Sequence, residues 1–186
     1  MTTLFIDTHD ENLYLAIKTD ANLFINTLTS SNHSEIVIPE LQDLLKKSNL
    51  TLNDIDEIIV VNGPGSFTGT RIGVTIAKTI AYSLNIKIKT ISSLEALGVS
   101  DNSLFDIIFI EDSKGCYYAK KNDKKYEEFN YLKKEAFDTF IKSNNYSISS
   151  NKNLNLDAII DYVSDKPFIN PHSVNPIYIK EIDVLK

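Results

Sequence analysis

The sequence predicts an α/β chain in two lobes, the first built on a mixed five-stranded sheet. Three observations predict it. Three short segments of strand character follow one another with links so tight that only antiparallel pairing is open to them. Helical and strand-like segments then alternate. A polar stretch near residue 100 separates this regular half from a smaller, less regular one.

In order, "TLFIDTH" (3–9) is a short apolar run and reads as a buried strand. "NLYLAIKT" (12–19) alternates Leu13, Leu15 and Ile17 against Tyr14, Ala16 and Lys18, which is period two. "NLFINTLT" (22–29) repeats the pattern with Leu23, Ile25 and Thr27 on one face. "HSEIVIPELQDLLKKSN" (33–49) turns helical, with Ile36, Val37, Leu41, Leu44 and Leu45 on one broad stripe. Ser34 is the expected N-cap, Lys46 and Lys47 suit the negative end of the dipole, and Pro39 is expected to bend the helix. "EIIVV" (57–61) is a fourth strand that follows a helix and so should lie parallel to a neighbour. A helix from about Thr70 to Leu84, a strand "IKIKTI" (86–91) and a short helix "SLEALGV" (93–99) capped by Ser93 complete the half.

The order β-β-β-α-β-α-β-α is that of the ribonuclease-H-like lobe of actin, Hsp70 and sugar kinases, the ASKHA fold. Residues 1–99 are therefore expected to form this lobe and 100–186 a reduced second lobe. In the latter, "DIIFIED" (106–112) and "CYYAKK" (116–121) read as a hairpin around "SKG". "KKYEEFNYL" (124–132) reads as a further strand, "KKEAFDTFIKS" (133–143) as a helix and "YSISSNKNLNLD" (146–157) as a polar loop. "AIIDYVSD" (158–165) is a short helix, and residues 170–182 an extended tail.

Composition narrows the function. Hydrophobic residues make up 42% of the 186, enough for a core. The formal charge of -6 speaks against a stand-alone nucleic-acid binder. One cysteine, Cys116, supports neither a disulfide framework nor a cysteine zinc site. The start lacks the basic and apolar regions of a signal peptide, and no apolar run approaches the ~20 residues of a membrane span. A cytoplasmic protein with no membrane partner is the expectation. Of the 19 basic residues only Arg71 is arginine, so its position calls for a planar, forked donor rather than bare charge. Either an intrachain carboxylate or carbonyl, or a partner's carboxylate, is its expected contact.

Arg71 sits in "NGPGSFTGTRIGVTIAK" (62–78), a hydroxyl-rich glycine loop running into a helix. The loop lacks the lysine of a Walker phosphate loop and misses the spacing of the dinucleotide fingerprint. A tight strand-to-helix turn capped by Ser66 or Thr68 is the preferred reading over an anion site at the helix N-terminus. Within the helix, Gly69, Gly73 and Ala77 form a stripe of small residues flanked by Ile72, Ile76 and Ile80. Glycine in a helix costs about 1 kcal/mol relative to alanine, so the stripe should serve close approach to a neighbour. That neighbour is either the 34–48 helix of the same chain or a pair of helices from a partner.

"FIDTH", "HSEIVIPELQDLL", "VVNGPGSFTGTRIGVTIAKTIAYSLNI" and "TISSLEAL" together resemble one family, TsaB (YeaZ), across about residues 3–98. "IEDSKGCYY" (110–118) and the Pro-x-Tyr of "NPIYIK" (175–180) resemble it more loosely. The middle of the second half matches poorly, and the chain is shorter than is usual for the family. The resemblance implies a non-catalytic subunit, without cofactor, that pairs with the catalytic paralogue TsaD through a helix bundle. TsaD, helped by the ATPase TsaE, transfers threonylcarbamoyl to the adenosine beside the anticodon of tRNAs reading ANN codons. tRNA would be met only indirectly, and the subunit alone would form a homodimer. The helices near 34–48 and 69–84 would carry the interface through Ile36, Pro39, Glu40, Gly69, Arg71, Gly73, Ile76, Ala77 and Ile80. Gly63, Pro64, Gly65, Ser66, Phe67 and Thr68 form the family-motif loop.

The residues also argue against catalysis. TsaD-type enzymes bind a metal through H-x-x-x-H on the first helix. Here His33 is followed at i+4 by Val37, and neither His9 nor His172 supplies a second ligand at useful spacing. His33 reads as a surface or cap residue, and Asp7 as a turn residue or a remnant of a metal-binding carboxylate. The rival reading is an ATP- or metal-dependent enzyme (nuclease, ATPase or peptidase) on the same fold. Two-metal chemistry needs converging carboxylates. The candidates are Asp7, Glu35, Asp54 and Asp56, and the last two lie at the wrong end of their strand.

Overall fold

The computed structural model describes residues 1–30, 32–102, 104–123, 125–149 and 153–179. The first sheet has the order β3-β2-β1-β4-β5, with β1 Thr3–Asp7, β2 Asn12–Lys18, β3 Leu23–Thr29, β4 Glu57–Val61 and β5 Lys87–Ile91. β1, β2 and β3 pair antiparallel, whereas β1–β4 and β4–β5 are parallel. This is the expected topology, and the alternation of side chains shows why it holds. Leu4 and Ile6 of β1 join Leu13, Leu15, Ile17, Ile58, Val60 and Ile88 in one core. Phe5, Tyr14, Ala16, Ile59, Val61 and Ile91 point the other way into a second. Both faces of the central strands are apolar, so both must be covered.

The helices α1 (His33–Ser48) and α2 (Phe67–Leu84) cover the first face. The cap of α1 falls two residues earlier than expected: Asn32 takes the N-cap position, and Ser34, already inside the helix, donates to the Asn32 side chain. α1 runs continuously through Pro39. α2 starts three residues before Thr70, with Ser66 as N-cap accepting from the Gly69 N–H. Each helix ends on an asparagine in the left-handed conformation, Asn49 and Asn85. The following N–H then reaches back to the last turn, Leu50 to Leu45 and Ile86 to Ala81.

The other face is covered by α3 (Ser93–Ser100) and by α5 (Leu156–Ser164). The cap of α3 is Ser92, not Ser93, in a reciprocal capping box with Glu95. α5 comes from the second half of the sequence. Its Leu156, Ile159, Ile160 and Val163 recur at helical spacing and bury against Phe5, Ile59 and Val61. The tail follows it back: Ile169 bridges the edge of β5 at Ile88, and Val174 enters the first core.

The second sheet, β6 (Ile107–Asp112), β7 (Gly115–Asn122) and β8 (Lys125–Lys133), is an antiparallel meander backed by α4 (Lys134–Asn144). Its other face meets Leu94 and Leu97 of α3. The boundary expected at residue 100 thus divides the two sheets. α5 and the tail, expected in the second lobe, pack on the first: the apolar stripe of α5 closes its second face together with α3, and Ile169 and Val174 of the tail join the first core. The middle of the expected 146–157 loop (150–152) and the tail beyond 179 lie outside the described residues.

Candidate functional site

The glycine loop leaves β4 at Asn62 and is held on every side by its own chain. Gly63 has φ +95°, a left-handed conformation that favours glycine, and the Gly63–Pro64 peptide is cis. The Gly63 carbonyl accepts from the Ser93 N–H at 2.9 Å and the Pro64 carbonyl from the Ser93 hydroxyl. The Ser66 N–H donates to the His9 carbonyl at 2.6 Å. A methyl group on Gly65 would stand 2.3 Å from that same His9 oxygen. The glycines serve contact between backbones, and the loop is the tight turn that its spacing suggested. On the tail side, the Ile177 N–H donates to the Asn62 carbonyl at 2.7 Å.

The stripe of small residues has a use other than the expected one. Gly69, Gly73 and Ala77 are all buried under the chain's own β1 end and core. The Thr8 hydroxyl accepts from the Gly73 N–H at 3.1 Å and donates to the Gly69 carbonyl at 2.7 Å. A Cβ on Gly69 would come within 2.2 Å of the Thr8 carbonyl oxygen. Gly69 and Gly73 let α2 lie directly on the strand end, and Ala77 joins the first core with Val37, Leu41 and Leu44 of α1. The reason lies in the sheet: β1 ends beneath α2, and with the Thr8 side chain seated there no Cβ fits on Gly73.

The remaining residues of the expected interface are distributed differently. α2 presents Arg71, Thr75 and Thr79 to solvent, with Ile72, Ile76 and Ile80 half-buried beside them. α1 exposes Pro39 and Ile38, the latter 45% exposed, beside half-buried Ile36. Glu40 turns inward, its carboxylate accepting from the Asn26 side chain at 3.0 Å. Ile38 was missed in the sequence, where it falls outside both the apolar stripe of α1 and the expected interface. Among the described residues, Arg71 has neither a hydrogen bond nor an ion pair to a carboxylate or carbonyl. Its Nε donates to the Tyr178 hydroxyl at 2.6 Å, and its guanidinium carbon lies 3.8 Å from the Phe67 ring centre.

Between the lobes lies a cleft of about 830 Å³, lined by His9, Asp10, Ser66, Thr70, Glu111 and Tyr178 among others. Asp7 makes a turn bond at the end of β1 and pairs with the His9 ring as well. It is fully buried, and its Oδ1 takes both the His9 N–H and the His9 Nδ1, at 2.9 and 2.8 Å. Burial works against charge on the His9 ring, but the Asp7 carboxylate, its hydrogen bond and Asp10 together outweigh it and raise the pKa. His33, expected as a surface or cap residue, is 6% exposed and lines the cleft, and among the described residues its Nε2 has no hydrogen-bond partner. Val37 one turn on is in the core. Among the described residues, no three His, Cys, Asp or Glu side chains are grouped to hold a metal ion.

The family model described as "TsaD: tRNA N6-adenosine threonylcarbamoyltransferase" matches residues 24–169. The chain is 41% identical over 102 residues to the tRNA threonylcarbamoyladenosine biosynthesis protein TsaB of Bacillus subtilis, covering 54% of this chain and 44% of that protein. Against the Haemophilus influenzae protein of the same name it is 30% identical over 124 residues, covering 66% and 51%. The matched segment thus spans about half the length of these curated relatives. The structure of YeaZ from Pseudomonas aeruginosa superposes with a TM-score of 0.79 at 16% identity, over 95% of this chain and all of that one, and so shares the ribonuclease-H-like, ASKHA-type fold. With that family model spanning most of the chain, the chain belongs to the TsaD family, and the curated relatives it resembles are those named TsaB.

Proposed function

We propose that the chain is a non-catalytic subunit of the complex that installs N6-threonylcarbamoyl on the adenosine beside the anticodon of tRNAs reading ANN codons. It docks on a TsaD-type catalytic subunit through the outer surface of α1 and α2. A TsaE-type ATPase and tRNA are met through the complex, and alone the chain pairs with a second copy by the same surface. The names of its relatives support the pathway. The observation that carries the docking surface is the apolar outer side of the two helices, where Ile38 and Pro39 stand in water beside half-buried Ile36, Ile72, Ile76 and Ile80. The lack of catalysis is supported by α1, which offers a single imidazole where a metal-binding helix needs two.

Calorimetric titration against the cognate TsaD-type subunit tests this. A 1:1 complex is expected, weakened at least about 10-fold by Ile38→Glu, as the loss of one central apolar anchor implies. The variant's melting temperature should stay within a few degrees of the unaltered chain. The chain alone is expected to turn over neither ATP nor tRNA. No complex, or ATP turnover abolished by Asp7→Ala, would reverse the assignment.

A further inference from the structure

Among the described residues, five lysines pair with carboxylates: Lys18 with Asp157 and Asp161, Lys47 with Asp43, Lys89 with Glu57, Lys134 with Glu111 and Lys166 with Glu95. Arg71, the one arginine in the chain, pairs with no described carboxylate. Among the described residues its only hydrogen bond uses Nε, to Tyr178. The two terminal nitrogens, which form the fork that grips an oxyanion, bond to no other described residue.

The guanidinium is nevertheless held still. It stacks over Phe67 at 3.8 Å, and the Tyr178 ring closes on it from 5.5 Å. The two rings lie 5.6 Å apart, each close to half exposed. A stacked, tethered arginine has already lost much of the freedom that a bond to a partner would remove, so such a bond forms at lower entropic cost. Arg71 also heads the exposed row Arg71, Thr75 and Thr79, beside half-buried Ile72, Ile76 and Ile80, and lies near the positive end of α2.

We infer that Arg71 is a preorganised clamp for a carboxylate side chain on the protein partner that covers α1 and α2. This rests on the docking surface proposed above. A protein carboxylate fits better than an RNA phosphate because the chain carries a formal charge of -6 and the neighbouring row is apolar. The forked geometry of guanidinium and carboxylate gives the contact its specificity, which a lysine at the same position would lack.

Titration of the full chain with the cognate catalytic subunit at low and physiological salt tests it. Arg71→Gln should weaken binding by about 10- to 100-fold and flatten its salt dependence, and Arg71→Lys should recover only part of the loss. Double-mutant cycles against single neutralised carboxylates on the partner should find one that couples to Arg71 by at least about 10-fold. Hydrogen exchange at the Ile177 amide reports whether the tail stays docked, and it should be unchanged in Arg71→Gln. The clamp is overturned if Arg71→Gln binds within two-fold of the unaltered chain while Ile38→Glu still fails, which leaves the docking surface standing. It is overturned equally if Ile177 loses protection in step with affinity, since Arg71 would then merely hold the tail. Loss confined to tRNA affinity would assign the fork to phosphate. Failure of the unaltered chain to bind would remove both proposals together.

Discussion

The Thr8 hydroxyl is seated in the backbone of α2, accepting from the Gly73 N–H and donating to the Gly69 carbonyl. Thr8 and Gly73 are both buried, and a Cβ on Gly73 would stand 2.4 Å from the Thr8 oxygen. Thr8→Val, which keeps the shape, should therefore cost about 1–3 kcal/mol, and Thr8→Ser clearly less. Gly73→Ala should also destabilise, by about 1–3 kcal/mol. Gly73→Leu should damage the fold before it touches any partner. Urea denaturation of the four variants checks this. Gly73→Leu with unchanged stability and lost binding would restore the stripe to the interface.

His9 supplies a pH dependence. Its folded pKa lies above the ordinary value of 6.5, so its charge-linked stabilisation is complete below that pH and fades as pH rises through the higher folded value. The stability difference between the unaltered chain and Asp7→Asn should accordingly shrink from pH 6 towards alkaline pH. Denaturation midpoints across that range measure it. A difference that stays constant would show that the ring is neutral in the folded chain.

At the opposite end of the sheet, Lys89 and Glu57 form a nearly water-free pair. The Lys89 Nζ stands 3.0 Å from Glu57 Oε2, an ion contact off the line of a hydrogen bond, and donates instead to the Ser164 carbonyl at 2.7 Å. Thr3 satisfies the other carboxylate oxygen. Removing one partner leaves a buried charge, so Lys89→Met should cost about 3–5 kcal/mol. Adding Glu57→Leu to it should return most of that loss. If the double variant is no better than the single one, desolvation is not the dominant cost.

α5 should behave as part of the first lobe. Ile159→Ala, at a fully buried position, should cost about 2–5 kcal/mol and lower hydrogen-exchange protection in β1 and β4. Protection lost only in β6–β8 would place α5 with the second sheet.

The sequence by itself determined the strands, their order and the two core helices. Period-two alternation and helical spacing are local signals, and tight links leave one way to pair. It also determined the character of the glycine loop, whose spacing matched no phosphate motif, and the absence of a histidine pair on α1. Tertiary structure alone decided what each feature faces. Gly69, Gly73 and Ala77 read as a ridge for any close neighbour, and only the end of β1 beneath α2 made that neighbour Thr8. His33 and Asp7 proved buried, which neither residue's immediate sequence signalled. Arg71 found Phe67 one turn away, but Tyr178 lies more than a hundred residues along the chain. Spacing records which residues share a face; the partner of that face is chosen by contacts between segments far apart in the chain, and no local pattern carries them.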